Sequence, residues 1–171
     1  MGTGGSLDTG ILAFDGSGFT LHLKVTMNPA NNTGKYLISA LKSVENNKYA
    51  GIIFYCYSGN LFSANVSQSG TISSSAFGSR LNTNGWKVRN NTSQTFTLDI
   101  TYTPAPSKSI TITFTPVQSG SSTYNATSNQ LNYIPDALDN VTITIGGSGL
   151  ANDTSKDINS MTILEFSVSE T

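Results

Sequence analysis

The clearest pattern in the sequence is an alternation of apolar and polar residues over positions 95–115, interrupted by a Pro-rich turn. Before the turn, one side of the chain carries Phe96, Leu98, Ile100 and Tyr102. After the turn, the alternation continues with Ile110, Ile112 and Phe114. A period of two over this length predicts a β-hairpin with one buried face, and that face needs a second sheet to cover it.

The same alternation predicts a second long strand over residues 19–27. Shorter strands are predicted at residues 11–14, 36–41, 61–66, 141–145 and 161–168. Ile163 and Leu164 are adjacent apolar residues that break the alternation of the last strand, which indicates a β-bulge. Residues 1–10 are rich in glycine and are predicted to form an arm, so residues 11–171 make up a single domain.

The segment GIIFYCY at residues 51–57 differs from the other strands because it is apolar on both faces. One face carries Ile52, Phe54 and Cys56, and the other carries Ile53, Tyr55 and Tyr57. A strand of this kind belongs in the middle of a sheet or has one face lining a groove. Cys56 is the only cysteine, so an intrachain disulfide is excluded and a buried thiol is expected.

Together these patterns give about ten strands and no convincing helix. The predicted fold class is therefore all-β, a two-sheet antiparallel β-sandwich of the jelly-roll type.

Composition excludes some partners. Charged residues make up 11% of the chain, the net charge is -1, and the nine Lys and Arg residues are scattered. No basic patch for nucleic acid is expected, and no run is long enough to span a membrane. The start of the sequence has no basic segment followed by an apolar one, so a soluble chain without a signal peptide is expected.

Several short motifs occur in an order that resembles the laminin G-like and concanavalin A-like family of jelly rolls. They are ILAFDG, FTLHLKVTM, TFTLDITY, SITITF, VTITIGGSG and ILEFSV, spread over residues 11–168. The resemblance implies this fold, with the opening strand paired with the closing strand. It also implies a tendency to bind glycans or proteins, since many members have no enzymatic activity.

The resemblance further implies a calcium site at the rim of the sandwich, made from loop carboxylates and carbonyls. Asp15 lies near the first strand, and Asn152, Asp153 and Asp157 precede the last, so pairing of these strands would bring the two segments together. The default expectation is that these are solvated loop residues. No other cofactor is expected.

Catalytic motifs are absent or incomplete. The Glu-x-Asp-x-Glu pattern of β-glucan hydrolases in this fold does not occur, and Asp8-Thr9-Gly10 is a single copy of a tripeptide that aspartic proteases need twice. His22 is predicted to be a solvated surface residue beside Lys24. We therefore expect that the protein is not an enzyme.

The most plausible ligand contacts predicted from sequence are aromatic. Tyr55 and Tyr57 share one face of their strand, with Tyr36 and Trp86 near its ends, and sugar rings stack on exposed aromatic faces. The alternative is that the tyrosines are packed and that Trp86 belongs to the core.

Three functional hypotheses follow. The first is a non-catalytic decoration, fibre or adhesion protein of a phage-type virion, on whose surface it contacts glycans or proteins, capsid or tail subunits, or further copies of itself. The second is a carbohydrate-binding module of a bacterial surface or secreted protein, located extracellularly or at the cell surface. The third, ranked last, is a concanavalin A-like glycoside hydrolase.

Overall fold

The computed structural model describes residues 7–14, 16–45, 48–57, 61–70, 79–80, 93–117, 124–127, 138–148 and 154–171. The strands are β1 (Leu7–Leu12), β2 (Phe19–Met27), β3 (Tyr36–Glu45), β4 (Lys48–Tyr57), β5 (Leu61–Gly70), β6 (Ser79–Arg80), β7 (Gln94–Thr103), β8 (Ser109–Pro116), β9 (Tyr124–Thr127), β10 (Val141–Ile145) and β11 (Met161–Glu170). Short 3₁₀ turns occupy Pro29–Asn32 and Thr154–Lys156. No helix in these ranges is long and apolar enough to cross a membrane.

The strands form two antiparallel sheets, which confirms the predicted all-β sandwich and is compatible with a jelly roll. One sheet has six strands in the order β1-β10-β3-β4-β5-β6, and the other has five in the order β11-β2-β7-β8-β9. Alternate side chains from the inner faces of both sheets meet in one core. Strands β2 and β7 alternate between buried and half-buried along their whole length, as their sequences predict.

Strand β4 lies between β3 and β5, in the interior of the six-stranded sheet, as its two-sided apolar pattern predicts. Ile52, Phe54 and Cys56 face the main core. Burial raises the pKa of the Cys56 thiol far above its ordinary value, so this thiol stays protonated and serves as a small packing group.

The expected pairing of the first and last strands is wrong. β1 pairs with β10, while β11 pairs with β2 through a register that runs from Met161↔Met27 to Glu170↔Phe19. The two strands therefore lie in different sheets, because β11 and β2 have long alternating faces that match each other. The register shift of β11 falls between Ile163 and Glu165, which confirms the predicted bulge.

β1 begins at Leu7, four residues earlier than its apolar pattern indicates. Leu7 and Asp8 pair with Ile145 and Thr144, and the register shifts before Ile11. Gly10 has a φ of 73° at this irregularity, so the alternation that marks a strand in the sequence is interrupted.

Among the described side chains, the hydroxyl of Thr144 is buried without a hydrogen-bond partner. Thr144→Val keeps the shape of the side chain and removes the unpaired group, so we expect the free energy of unfolding to rise by about 1 kcal/mol. Urea denaturation measures this change. Thr142→Val, on the half-buried part of the same strand, is the matched control with little effect, and a loss of stability in Thr144→Val would contradict the structure.

Candidate functional site

Two of the four predicted aromatic site residues, Tyr36 and Tyr55, lie in a packed cluster. Tyr36 and Tyr55 are 4% and 6% exposed, with ring centroids 6.2 Å apart, and they pack with Leu41 and Ile53 in a second cluster separate from the main core. The Lys156 ammonium lies 5.6 Å from the centre of the Tyr36 ring. Neither of these two rings is exposed enough to stack on a sugar.

The other predicted site residues are only partly within the described ranges. Tyr57 is the last residue of β4, but its side chain is not among those described, and Trp86 lies outside the described residues. Asp15, Asn152 and Asp153 also lie outside them, whereas Asp157 follows the second 3₁₀ turn and is half-buried. Within the described ranges no three His, Cys, Asp or Glu side chains form a group that could hold a metal. The calcium site stays a prediction.

A pocket of about 280 Å³ opens where β2 ends and β11 begins. Four asparagines and two methionines contribute to its lining. These residues are Asn28, Asn31, Asn32, Asn159, Met27 and Met161. Hydroxyl groups complete the lining, from Thr26, Thr162, Ser93 and Ser160. We call this site the amide pocket.

Side-chain amides build the wall of the amide pocket by joining two segments far apart in sequence. The Asn32 amide group donates to the Asn28 carbonyl oxygen at 2.7 Å, which closes the 3₁₀ turn after β2. The Asn32 amide oxygen accepts from the backbone N–H of Asn159 at 2.8 Å. The Asn159 amide group then donates to the Asn31 carbonyl oxygen at 2.6 Å. Asn32 is 2% exposed, so it is a structural part of the wall.

Because these amide groups are already hydrogen-bonded, the groups available for new hydrogen bonds are on the exposed residues of the lining. The Asn31 side chain and the hydroxyl of Ser160 can each donate and accept hydrogen bonds, and the amide oxygen of Asn159 can accept them. None of the described residues that line the amide pocket is charged. The described lining can therefore pair with neutral hydroxyl or amide groups, and it offers no countercharge to an ion.

A second polar site lies on the outer face of the five-stranded sheet. His22 Nδ1 is 2.6 Å from Asp99 Oδ1, and His22 Nε2 is 3.4 Å from Glu165 Oε2. Lys24 Nζ donates to Glu165 Oε1 at 2.5 Å. The side-chain hydroxyls of Thr20 and Thr101 are hydrogen-bonded to each other on the same face. We call His22, Lys24, Asp99 and Glu165 the histidine cluster.

The histidine cluster corrects the prediction of a freely solvated histidine. The hydrogen bond that His22 donates to Asp99 raises the pKa of His22, although partial burial of the ring opposes this. The hydrogen bond from Lys24 lowers the pKa of Glu165. The cluster joins β11, β2 and β7, because its members occupy facing positions on three neighbouring strands.

The histidine cluster is not arranged as a catalytic dyad. In such a dyad the carboxylate holds Nδ1 and a nucleophile faces Nε2. Here Nε2 of His22 faces the carboxylate of Glu165. The arrangement fits an ionic link between neighbouring strands. The expectation that the protein is not an enzyme stays a prediction.

The raised pKa of His22 predicts a pH dependence of stability. Because the folded-state pKa is above the unfolded value, the contribution of His22 is fully present below about pH 6.5 and is lost as the pH rises through the folded-state pKa. The pair is partly exposed, so the contribution is about 1 kcal/mol or less. Urea denaturation of the wild type and of His22→Gln measures this contribution. The measurements run from about pH 6 to about pH 9, a range that spans the titration of histidine. A difference between the two proteins that does not change with pH would contradict this assignment.

Sequence reasoning did not find either polar site. The amide pocket joins Asn32 to a backbone N–H 127 positions away. The histidine cluster joins His22 to Asp99, which are 77 positions apart. The sequence signal was the segment Asn-Pro-Ala-Asn-Asn at residues 28–32, which indicates a turn but not a pocket.

No protein-family model matches this sequence, and no curated protein matches it either.

Proposed function

We propose that this chain is a non-catalytic binding module that takes a neutral carbohydrate into the amide pocket. One observation carries the proposal: a pocket of about 280 Å³ combines amides, hydroxyls and thioethers, and its described lining has no charge. Small-ligand pockets typically pair an apolar surface with a few polar groups that fix orientation.

The chemistry of a sugar ring complements these groups. Its hydroxyls donate and accept hydrogen bonds, as do the side chains of Asn31 and Ser160. Its C–H faces are apolar and can lie against the half-buried Met161, whereas Met27 is 1% exposed and belongs to the core. A charged ligand would lose its hydration without gaining an ionic partner. This favours neutral sugars over uronic acids, sialic acids and phosphates.

Binding without hydrolysis is part of the proposal. Glycoside hydrolysis generally uses two carboxyl groups on either side of the scissile bond. The described lining of the amide pocket contains no Asp or Glu. The carboxylates of Asp99 and Glu165 are engaged with His22 and Lys24 in the histidine cluster.

Membership of the laminin G-like or concanavalin A-like jelly rolls is proposed on two grounds. The motif order from ILAFDG to ILEFSV resembles that family, and the two antiparallel sheets are compatible with its fold. Location on a virion surface, or alternatively at a cell surface, is proposed from the low charge and hydroxyl-rich composition.

The proposal is tested by titrating the protein with a panel of neutral oligosaccharides and acidic counterparts, using calorimetry. We expect a Kd on the order of 1 mM, about 4 kcal/mol, for a subset of the neutral sugars. Asn31→Ala removes one side-chain partner and should weaken binding by about fivefold, which corresponds to about 1 kcal/mol. Ser160→Leu places an apolar group in the pocket and should abolish binding.

Thr111→Ala is the matched control, since Thr111 is an exposed residue of β8 that is not part of the pocket lining. It should bind like the wild type. Unchanged affinity in both Asn31→Ala and Ser160→Leu, or binding confined to acidic sugars, would exclude the amide pocket as the carbohydrate site.

A further inference from the structure

The edges of the two sheets differ in how they are protected. In the described part of the chain, the edge strands β6 and β9 have two and four residues, and β1 has six with a register irregularity. Short or irregular strands are a usual way of blocking edge-to-edge association. β11 is also an edge strand, but it has ten residues and contains no proline or lysine. Its length makes it the edge best suited to pair with another strand.

The direction of the backbone groups of β11 follows from one hydrogen bond. The N–H of Thr171 donates to the Gly18 carbonyl oxygen at 3.0 Å, in continuation of the register between Glu170 and Phe19. Hydrogen-bonded and non-hydrogen-bonded pairs alternate in antiparallel sheets. Ser167 and Ser169 therefore direct their N–H and C=O groups to β2. Phe166 and Val168 direct theirs away from β2, along the open edge of the sheet.

The apolar side chains at this edge border the core but are only partly buried. Phe166 and Val168 pack against the core but are only partly buried, as are Met161 and Ile163. The neighbouring Leu164 is 49% exposed. An apolar margin next to a long open edge favours a partner that supplies both backbone hydrogen bonds and apolar side chains.

We propose that β11 pairs antiparallel with β11 of a second copy of this chain, with Ser167 on the twofold axis. In this register Phe166 faces Val168 of the partner subunit, and the backbone groups that point outward on both strands meet as hydrogen-bonded pairs. The two five-stranded sheets then form one continuous sheet of ten strands. The inference is independent of carbohydrate binding in the amide pocket.

Self-complementarity is the reason for choosing a second copy as the partner. Phe166 faces Val168 of the partner subunit on the inner side, and the Ser167 side chains meet on the outer side. Glu165 faces Ser169 of the partner subunit, so no like charges are directly opposite each other. The carboxylate of Glu165 is already paired with Lys24 within its own chain. A twofold interface uses the same patch on both copies, and this strand meets that requirement.

Analytical ultracentrifugation of the whole chain over a range of concentrations tests the proposal. We expect a reversible dimer of twice the 18.1 kDa chain mass. Ser167→Lys puts two like charges opposite each other at the axis and should raise the dimer Kd more than tenfold. Ser169→Lys is the matched control. It puts the same charge opposite Glu165 of the partner subunit, so its dimer should persist.

Mixing provides a second test of the register. Ser167→Glu alone should raise the dimer Kd in the same way, and an equimolar mixture with Ser167→Lys should recover the dimer. Amide hydrogen exchange is an independent readout in the unmodified protein, because the N–H groups of Phe166 and Val168 should be protected at high concentration and lose protection on dilution. A wild-type monomer up to its solubility limit would overturn the proposal. A dimer that is equally stable in Ser167→Lys would overturn it as well.

Discussion

Gly51→Ala should abolish stable folding, because β3 leaves no room for a side chain at this position of β4. A Cβ atom on Gly51 would lie 2.0 Å from the Ala40 carbonyl oxygen and 3.1 Å from the Leu41 Cα. The backbone φ of Gly51 is also 146°, a value that other residues rarely adopt. Both strands are in the interior of the six-stranded sheet, so relief would require β3 and β4 to separate. We expect a loss of about 4 kcal/mol or more.

Gly34→Ala is the matched control for this prediction. Gly34 also has a positive φ, of 78°, but a Cβ atom there would meet nothing within 4 Å. The cost is then only that of the backbone conformation, about 1–2 kcal/mol. Thermal and urea denaturation of both variants provide the comparison. Equal stability losses would show that the close approach of β3 to Gly51 is not present.

Phe96→Ala should be a strongly destabilising truncation within the hairpin formed by β7 and β8. Phe96 is 1% exposed, and its ring centroid lies 4.8 Å from that of Phe114 on the facing strand. Removing the ring loses its burial and leaves a cavity between the sheets. We expect the free energy of unfolding to fall by about 3–5 kcal/mol, as measured by urea denaturation.

Thr97→Ala changes the adjacent residue, which points to the outer face of the same strand and is half-buried. We expect this control to change stability by about 0.5 kcal/mol or less. If Phe96→Ala and Thr97→Ala destabilised the protein equally, the assignment of the inner and outer faces of β7 would be wrong.

Much of the fold could be predicted because the burial of strands follows a simple period. The alternation at residues 19–27 and 95–115 gave β2, β7 and β8, and the two-sided pattern of GIIFYCY gave an interior strand. The bulge in β11 was visible because two adjacent apolar residues cannot both face the core of a regular strand. Each of these signals is local to one strand.

Features that depend on partners far along the chain could not be predicted in the same way. The pairing of β11 with β2 is set by which alternating faces match in space. β9 lies in a segment whose polar composition indicates only a loop. Tyr36 and Tyr55 were expected to face a ligand, but sequence does not distinguish an exposed tyrosine from one covered by other parts of the chain.

The amide pocket was missed for a related reason. Its asparagines come from the turn after β2 and from the segment before β11, and each group taken alone is typical of a turn. Their common chemistry emerges only when the register of β2 and β11 brings the two segments together.

Nuclear magnetic resonance of the side-chain amides during a titration with neutral oligosaccharides tests the central claim most directly. The account predicts that a neutral sugar shifts the side-chain resonances of Asn31 and Asn159 in a saturable way, while those of the histidine cluster stay in place. Saturable shifts confined to the histidine cluster or to the tyrosine cluster of Tyr36 and Tyr55, or the absence of shifts with every neutral sugar, would contradict it.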